Sequence, residues 1–268
     1  MIDRVLLLAI LCCAALSVQA QAPQPLVIGE TFVIQSQVLH EERRINVYAP
    51  PAYAASPDVR LPVLYMPDGG IAEDFLHVAG LVQVLTGNGT MRPFLLVGIE
   101  NTERRRDLTG PTENAEDKKI AVRVGGSANF RAFLRDELIP AIEKRYRTTR
   151  ERAIVGESLA GLFVVETLLL EPALFDTYIA FDPSLWWNDE KLVKQAGVPA
   201  AAPKRLYIAT SSEGSVAAAR RLTKSLARRS SKTLRVWSVP MPDERHATIY
   251  HPAALRAFRL LFAPEPRR

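Results

Sequence analysis

The sequence predicts an α/β fold in three layers, with helices on both faces of a mostly parallel sheet. Short continuous apolar runs bounded by polar turns are typical of strands buried on both faces of such a sheet. Helical segments separate these runs along the chain, and this alternation favours a sheet held between two helical layers. The predicted buried strands are 61–66, 94–99, 153–155, 178–181, 206–209 and 234–239.

Two segments near the beginning of the chain have a different pattern. In 31–38 and 43–49, apolar and polar residues alternate, which is typical of antiparallel strands with one solvated face. We therefore expect an antiparallel N-terminal edge on an otherwise parallel sheet.

Four helical segments complete the predicted layers. In 127–147 the apolar residues recur every three or four positions, with Ser127 as the expected N-cap and Pro140 as an expected kink or restart. The segment 159–170 is almost wholly apolar, as expected of a helix buried against the sheet. The other two are amphipathic and cover 215–229 and 252–262.

The first twenty residues differ from the rest of the chain. Arg4 precedes an unbroken apolar run, 5–16, and small residues end the segment at Ala20. This pattern predicts a secretory signal peptide cleaved after Ala20, leaving 21–268 as a single exported domain in the periplasm or outside the cell. A membrane-spanning helix needs about 20 apolar residues, so we expect no stable membrane anchor.

Both cysteines of the chain, Cys12 and Cys13, lie inside this predicted leader. A mature chain without cysteine has no disulfide to stabilise it in an oxidising compartment, so its core must do so. Lipidation of one cysteine is an alternative, although the preceding Ala9-Ile10-Leu11 lacks the small residue expected directly before a lipidated cysteine.

The charge balance is moderately basic, with 34 Lys and Arg against 29 Asp and Glu and a net charge of +5. The basic residues are scattered, and no nucleic-acid-binding motif is present. We expect no nucleic-acid partner and no metal or organic cofactor. The excess charge indicates either an ordinary solvated surface or a preference for an anionic ligand.

The segment AIVGESLAGLF, residues 153–163, contains the candidate nucleophile, Ser158. In a nucleophile elbow the serine occupies a sharp strand-to-helix turn, and the residues two before and two after it must be small. Gly156 and Ala160 meet that requirement. The alternative is an ordinary strand–turn–helix packing with no chemical role.

A serine hydroxyl needs a base, and His246 is the preferred candidate. In an α/β-hydrolase the order along the chain is serine, acid, histidine, and His246 follows the last predicted strand. His40 and His77 precede Ser158 along the chain. His251 stands directly before Pro252 and is interpreted as a helix cap or a surface residue. The order predicts a three-layer α/β-hydrolase sandwich.

The acid that would orient the imidazole is predicted to be Glu213, which follows the strand 206–209. Asp182 in FDPSLWW, Asp243 and Glu244 are alternatives, and a serine–histidine dyad without an acid is another. A surface glutamate in a turn remains an equally simple interpretation of Glu213.

The oxyanion of an acyl-transfer reaction needs two backbone N–H donors. Leu159, the residue after the nucleophile, is the first candidate. The second is expected in MPDGGIAEDF, where Gly69 and its neighbour Gly70 follow a strand. A tight turn with no catalytic role would explain these glycines as well.

Several motifs together resemble the esterase D family, nearest its enterochelin-esterase-type branch. They are YMPDGG, IENTERRRDLTG, GGSANFRAFLRDELIPAIEKRYRT, GESLAGLF, FDPSLWW and DERHATIYHPA, and they span about residues 30–262. The resemblance implies cleavage of carboxylic esters, which include catecholate siderophore triesters. Other members act on acylated sugars or small acyl thioesters, or transfer acyl groups as mycolyltransferases.

The resemblance implies Ser158 as nucleophile and His246 as base, and Glu213 matches the acid position less closely. Arg106 and Trp187 are expected to line the substrate pocket, since a guanidinium and an aromatic ring suit an anionic catecholate. Packing of the tryptophans and pairing of Arg106 with Asp107 are the alternatives. The expected partner is a small ester, and the rival functions are acyl transfer, acyl-sugar or feruloyl ester hydrolysis, and non-catalytic binding.

Overall fold

The computed structural model describes residues 22–195, 203–229 and 233–265. The predicted signal peptide, with Cys12 and Cys13, lies outside the described residues. Eight strands form one sheet. They are β1 Glu30–Ser36, β2 Glu41–Tyr48, β3 Leu61–Pro67, β4 Leu95–Ile99, β5 Thr148–Glu157, β6 Thr177–Phe181, β7 Lys204–Ser211 and β8 Leu234–Met241.

The strand order is β1-β2-β4-β3-β5-β6-β7-β8. In the run β4-β3-β5-β6-β7-β8, each strand is parallel to the next. In contrast, β2 is antiparallel to both of its neighbours, β1 and β4. The predicted mostly parallel sheet with an antiparallel N-terminal edge is therefore confirmed.

Helices cover both faces of the sheet. They are α1 Pro51–Ala55, α2 Phe75–Gly87, α3 Arg104–Asp107, α4 Ser127–Phe133, α5 Ile139–Arg145, α6 Leu159–Leu170, α7 Trp187–Lys194, α8 Val216–Arg229 and α9 Tyr250–Leu261. None of these helices, in the described ranges, combines the length and the hydropathy needed to cross a bilayer.

The hydrophobic core has two halves, one on each face of the sheet. The first packs α4, α5, α6 and α8 on one face, with Phe133 and Leu168 fully buried. The second packs α2 and α9 on the other face, with Val82 and Phe258 fully buried. The three predicted layers are thus confirmed, and the α/β-hydrolase fold places the carboxyl ends of the parallel strands along one edge.

The predicted helix 127–147 is interrupted. A single wide π turn, Leu134–Leu138, separates α4 from α5 directly before Pro140. Proline has no N–H to donate and its ring crowds the preceding turn, so the chain restarts there as expected. The prediction of Ser127 as the N-cap is wrong, because Gly126 occupies that position and Ser127 is the first helical residue.

Candidate active site

Four neighbouring strands end at one cavity of about 400 Å³. Ser158 follows β5, Asp182 follows β6, Glu213 lies just after β7, and His246 lies beyond the end of β8. Carboxyl ends of parallel strands are where ligands bind in open α/β sheets. The residues that line this cavity include Ser158, Asp182, Ser184, Trp186, Glu213 and His246.

Ser158 occupies a strained turn between β5 and α6. Its backbone has φ 59° and ψ −118°, a region that non-glycine residues rarely adopt. A Cβ at Gly156 would lie only 2.7 Å from the Cβ of Ala160, so the chain must have glycine there. The predicted elbow, with small residues on both sides of Ser158, is confirmed as a local structure.

The hydroxyl of Ser158 lies 3.4 Å from the hydroxyl of Ser184. The N–H of Ser184 also donates to the carbonyl of Ser158 at 3.0 Å. Within the described part of the chain, no hydrogen bond joins the Ser158 hydroxyl to the imidazole of His246. Such catalytic hydrogen bonds are often long without substrate and shorten in the substrate complex.

The imidazole of His246 is held by Asp182. Its Nδ1 lies 3.1 Å from Oδ2 of Asp182, and the aspartate side chain is fully buried. The same carboxylate accepts the backbone N–H of Ser211 at 2.6 Å and a further bond from the Ser211 hydroxyl. Three donors thus fix the carboxylate, and because Nδ1 is engaged with Asp182, Nε2 is the ring nitrogen that stays available to another group in the cavity.

Glu213, the acid preferred from the sequence, contacts the histidine loop but not the ring. Its carboxylate accepts Nε of Arg245 at 2.8 Å and the backbone N–H of His246 at 3.0 Å. These two hydrogen bonds lower the pKa of the Glu213 carboxyl. The prediction that Glu213 contacts the imidazole is wrong. Asp182, one of the alternatives, makes that contact.

Gly214 explains why Asp182 can sit so close to β7. A Cβ at this position would overlap Oδ1 of Asp182. Any other residue at position 214 would therefore push the carboxylate away from the imidazole. This glycine, directly after Glu213 in the sequence, is a signal that sequence reasoning missed.

The two glycines after β3 have engaged N–H groups. Gly69 donates to the carbonyl of Ile99 at 2.9 Å, and its Cα packs against the backbone of Gly98. Gly70 donates instead to a side chain, the carboxylate of Glu73, at 2.7 Å. The N–H of Leu159 has no acceptor among the described residues. The geometry therefore favours Leu159 and does not favour Gly69 as an oxyanion donor.

Trp187 is buried, with 4% of its surface exposed, and its Nε1 donates to the carbonyl of Gly110 at 2.8 Å. Its neighbour Trp186 is 47% exposed and lines the cavity. The expectation that Trp187 lines the pocket is wrong, because this residue is buried, and Trp186 is the tryptophan that lines the cavity. Sequence alone could not decide which of two adjacent tryptophans faces the solvent.

Arg106 belongs to an ion-pair network outside the lining of the Ser158 cavity. Its guanidinium donates to Glu41 at 2.7 Å and 3.0 Å, and to Asp107 at 2.6 Å. Burial disfavours the ionised form of Glu41, but the hydrogen bond from Arg106 and nearby positive charges outweigh it and lower the pKa of Glu41 to about 2. The alternative interpretation of Arg106, pairing with Asp107, is the one that the structure shows.

Glu157 is the residue directly before Ser158, and its Oε1 is buried without a hydrogen-bond partner among the described residues. Burial, together with the nearby carboxylates of Asp74, Asp182 and Asp68, raises the pKa of Glu157 to about 8. Although acidic groups gather here, the described residues include no group of three or more His, Cys, Asp or Glu side chains that could hold a metal ion.

A profile of the family described as "Putative esterase" matches residues 36–248. The match begins at the last residue of β1 and extends past His246, so it covers β2 to β8 and the cavity. A solved structure, the IroE-like serine hydrolase from Shewanella oneidensis, has the same fold with a TM-score of 0.73. The two proteins are 30% identical, and the match covers 87% of this chain and 80% of the Shewanella chain.

Two curated relatives are also similar. The ferri-bacillibactin esterase BesA of Bacillus subtilis is 32% identical over 173 residues, which are 58% of this chain and 59% of that protein. The siderophore triacetylfusarinine C esterase of Aspergillus fumigatus is 30% identical over 179 residues, 63% of this chain and 56% of its own. The matched region thus spans less than two thirds of the length of these relatives.

Proposed function

Since the chain belongs to the "Putative esterase" family, we propose that it hydrolyses carboxylic esters through an acyl-enzyme intermediate on Ser158. One observation supports this most strongly. A serine on a strained elbow shares a cavity with an imidazole that a buried carboxylate holds by its Nδ1. This is the arrangement that nucleophilic acyl transfer requires.

In the first half-reaction, Nε2 of His246 accepts the proton of the Ser158 hydroxyl while the oxygen attacks the ester carbonyl. Asp182 keeps the ring in the tautomer that leaves Nε2 unprotonated, and it stabilises the imidazolium that forms. The imidazolium then protonates the leaving alcohol, and the acyl group remains on Ser158. Asp182 replaces Glu213 as the proposed acid.

The oxyanion of the tetrahedral intermediate is stabilised by backbone N–H groups. We assign one of them to Leu159, whose N–H begins α6 and benefits from the positive end of that helix. We assign the second to Gly70 in place of Gly69, because the N–H of Gly70 is bonded only to a side chain, the carboxylate of Glu73, which an oxyanion can replace as acceptor. The N–H of Gly69 is committed to the backbone of β4.

In the second half-reaction, His246 takes a proton from water, and the resulting hydroxide attacks the acyl carbonyl. The C–O bond to Ser158 breaks, the serine regains its proton from the imidazolium, and the acid leaves. These steps use Ser158, His246 and Asp182 of the cavity, with the N–H groups of Leu159 and Gly70 as the oxyanion donors. An acyltransferase would use the same site but admit an alcohol in place of water.

The proposed substrates are siderophore esters. The support is that two curated relatives are named as esterases of ferri-bacillibactin and of triacetylfusarinine C. An exposed indole at the cavity, Trp186, suits an aromatic substrate. We also propose export after cleavage near Ala20, which Edman sequencing of the mature protein would test by a start near Gln21.

A substrate panel tests the proposed function. Wild-type protein and Ser158→Ala are incubated with a catecholate triester, a feruloyl ester and an acetylated sugar, and released acid and alcohol are quantified. We expect release from the catecholate triester with the wild type alone. Release from the sugar ester only would move the proposal to that substrate, and transfer to added glycerol in preference to water would make the protein an acyltransferase. No release by folded protein would contradict an esterase.

A further inference from the structure

We propose that residues 188–190 form a left-handed turn whose role is to hold Trp186 at the mouth of the cavity as a specificity-determining residue. This proposal rests on the proposed function, because it concerns the same cavity. It adds a part of the molecule that no catalytic step uses. The argument starts from the backbone of three consecutive residues.

Asn188, Asp189 and Glu190 all have left-handed backbone angles. Their φ and ψ values are 47° and 53°, 51° and 44°, and 60° and 32°. Such a conformation is unfavourable for a residue that carries a Cβ, and left-handed residues normally occur singly. Three in succession without a glycine form a strained segment that surrounding contacts must stabilise.

The segment 111–117 supplies most of those contacts. The backbone N–H of Asn188 donates to the carboxylate of Asp117 at 2.7 Å, and its Nδ2 donates to the carbonyl of Pro111 at 3.0 Å. The carboxylate of Asp189 accepts Nδ2 of Asn114 at 2.9 Å. These bonds tie two sides of the turn to one neighbouring loop.

The third residue of the turn faces a different element. Glu190 forms an ion pair with Arg221 of α8. Its backbone N–H donates to the carbonyl of Trp186 at 3.3 Å, which closes the turn on the tryptophan itself. Glu190 therefore links two parts of the molecule: its side chain bonds α8, and its backbone N–H bonds Trp186.

The other side of Trp186 is equally constrained. Trp187 is anchored by its indole N–H to Gly110, and the two indole rings lie 5.9 Å apart between centroids. Ser184, two residues earlier, is bonded to the backbone of Ser158. Trp186 is the exposed residue between these fixed points, with 47% of its surface open and its side chain on the cavity.

A residue that is exposed, aromatic and fixed on both sides is suited to stack on a flat substrate, since little conformational entropy is lost on binding. Stacked aromatic pairs add stability beyond that of the area that they bury. The strain in the turn is thus offset by contacts with two elements, and these contacts hold the backbone of Trp186 in one place at the mouth of the cavity. If the turn served only to join Trp187 to the rest of α7, disrupting it would have no effect on ligand affinity.

The test measures binding without turnover, in a Ser158→Ala background, with 1-naphthyl acetate as the aromatic probe. Proline cannot adopt a positive φ and has no N–H, so Glu190→Pro abolishes both the turn and its bond to Trp186. We expect Glu190→Pro and Trp186→Ala each to raise the Kd about tenfold, and the double variant to raise it no further, because both changes act on one indole.

Two matched variants separate the turn from the ion pair and from misfolding. Arg221→Ala removes the pair with Glu190 but keeps the backbone, and Glu190→Gly keeps the left-handed conformation at no steric cost. Both should leave the Kd within twofold, because each variant keeps the bonds of Asn188 to 111–117 and the bond from the N–H of residue 190 to the carbonyl of Trp186. Thermal unfolding should remain cooperative in every variant. The proposal would be overturned if the double variant raised the Kd by the product of the two single effects, or if Glu190→Pro left the Kd unchanged. The result is independent of whether Ser158 is a nucleophile, so the two proposals fail separately.

Discussion

Oδ2 of Asp182 lies 3.1 Å from Nδ1 of His246, although the two residues follow different strands with β7 between them. The carboxylate reaches across because the main chain after β6 turns over the end of β7. There it accepts the N–H and the hydroxyl of Ser211. The acid of the proposed triad therefore belongs to β6, and β7 supplies the residues that hold it.

The first prediction separates Asp182 from Glu213. Asp182→Asn should lower kcat by about 10³–10⁴-fold, because an amide cannot stabilise the imidazolium and favours the wrong tautomer. Glu213→Gln should lower kcat by about tenfold at most, since Glu213 bonds the backbone N–H of His246 and the side chain of Arg245 but not the imidazole ring. Hydrolysis of a chromogenic ester at saturating concentration measures both. A larger loss in Glu213→Gln than in Asp182→Asn would reverse the assignment.

The second prediction concerns Gly214. Gly214→Ala should lower kcat about 100-fold, because the new methyl group displaces the Asp182 carboxylate from the imidazole. Gly80→Ala is the matched control, since a Cβ there meets nothing within 4 Å. That control should retain full activity and gain a little stability as a helical alanine. Equal activity in the two alanine variants would show that Asp182 need not occupy its observed position.

The third prediction concerns Arg106. Arg106→Ala should lower the free energy of unfolding by about 2 kcal/mol, because Glu41 and Asp107 lose charged hydrogen-bond donors. KM should change equally for anionic and neutral esters. Arg105→Ala, which removes an exposed arginine directly before Arg106, should leave both properties unchanged. A selective rise in KM for anionic esters would restore Arg106 to the substrate pocket.

The fourth prediction follows from the raised pKa of Glu157, which is about 8 against 4.5 for an ordinary glutamate. The folded state binds the proton more tightly, so the stabilising contribution is complete below pH 4.5 and is lost as the pH rises through 8. Glu157→Gln stays neutral at every pH. Its Tm relative to the wild type should therefore rise between pH 5 and pH 9, as measured by scanning calorimetry. A constant difference in Tm would show that Glu157 ionises normally.

Much of the fold could be predicted because its signals are local. Apolar runs marked every strand of the parallel part, and the apolar segment 159–170 matches α6 residue for residue. β5 begins at Thr148, earlier than its apolar run at 153–155, because its first residues pair with β3 while their side chains face water. Pairing with a neighbouring strand overrides a polar sequence there.

The candidate site was predictable in order but not in detail. Ser158 and His246 could be located because each follows a strand in the expected sequence. The choice between Asp182 and Glu213 was not predictable, since β6 and β7 end side by side and both carboxylates reach the same region. The left-handed turn after Trp187 has no glycine to mark it, although Asn and Asp tolerate that conformation better than most residues.

The central claim is that Ser158 is an activated nucleophile, and labelling with a fluorophosphonate tests it most directly. Intact mass and peptide mapping of the wild type should show one adduct, on Ser158, and Ser158→Ala should show none. Asp182→Asn should react much more slowly, because His246 then lacks its orienting carboxylate. Folded wild-type protein that takes up no label, or carries it on another residue, would contradict the claim.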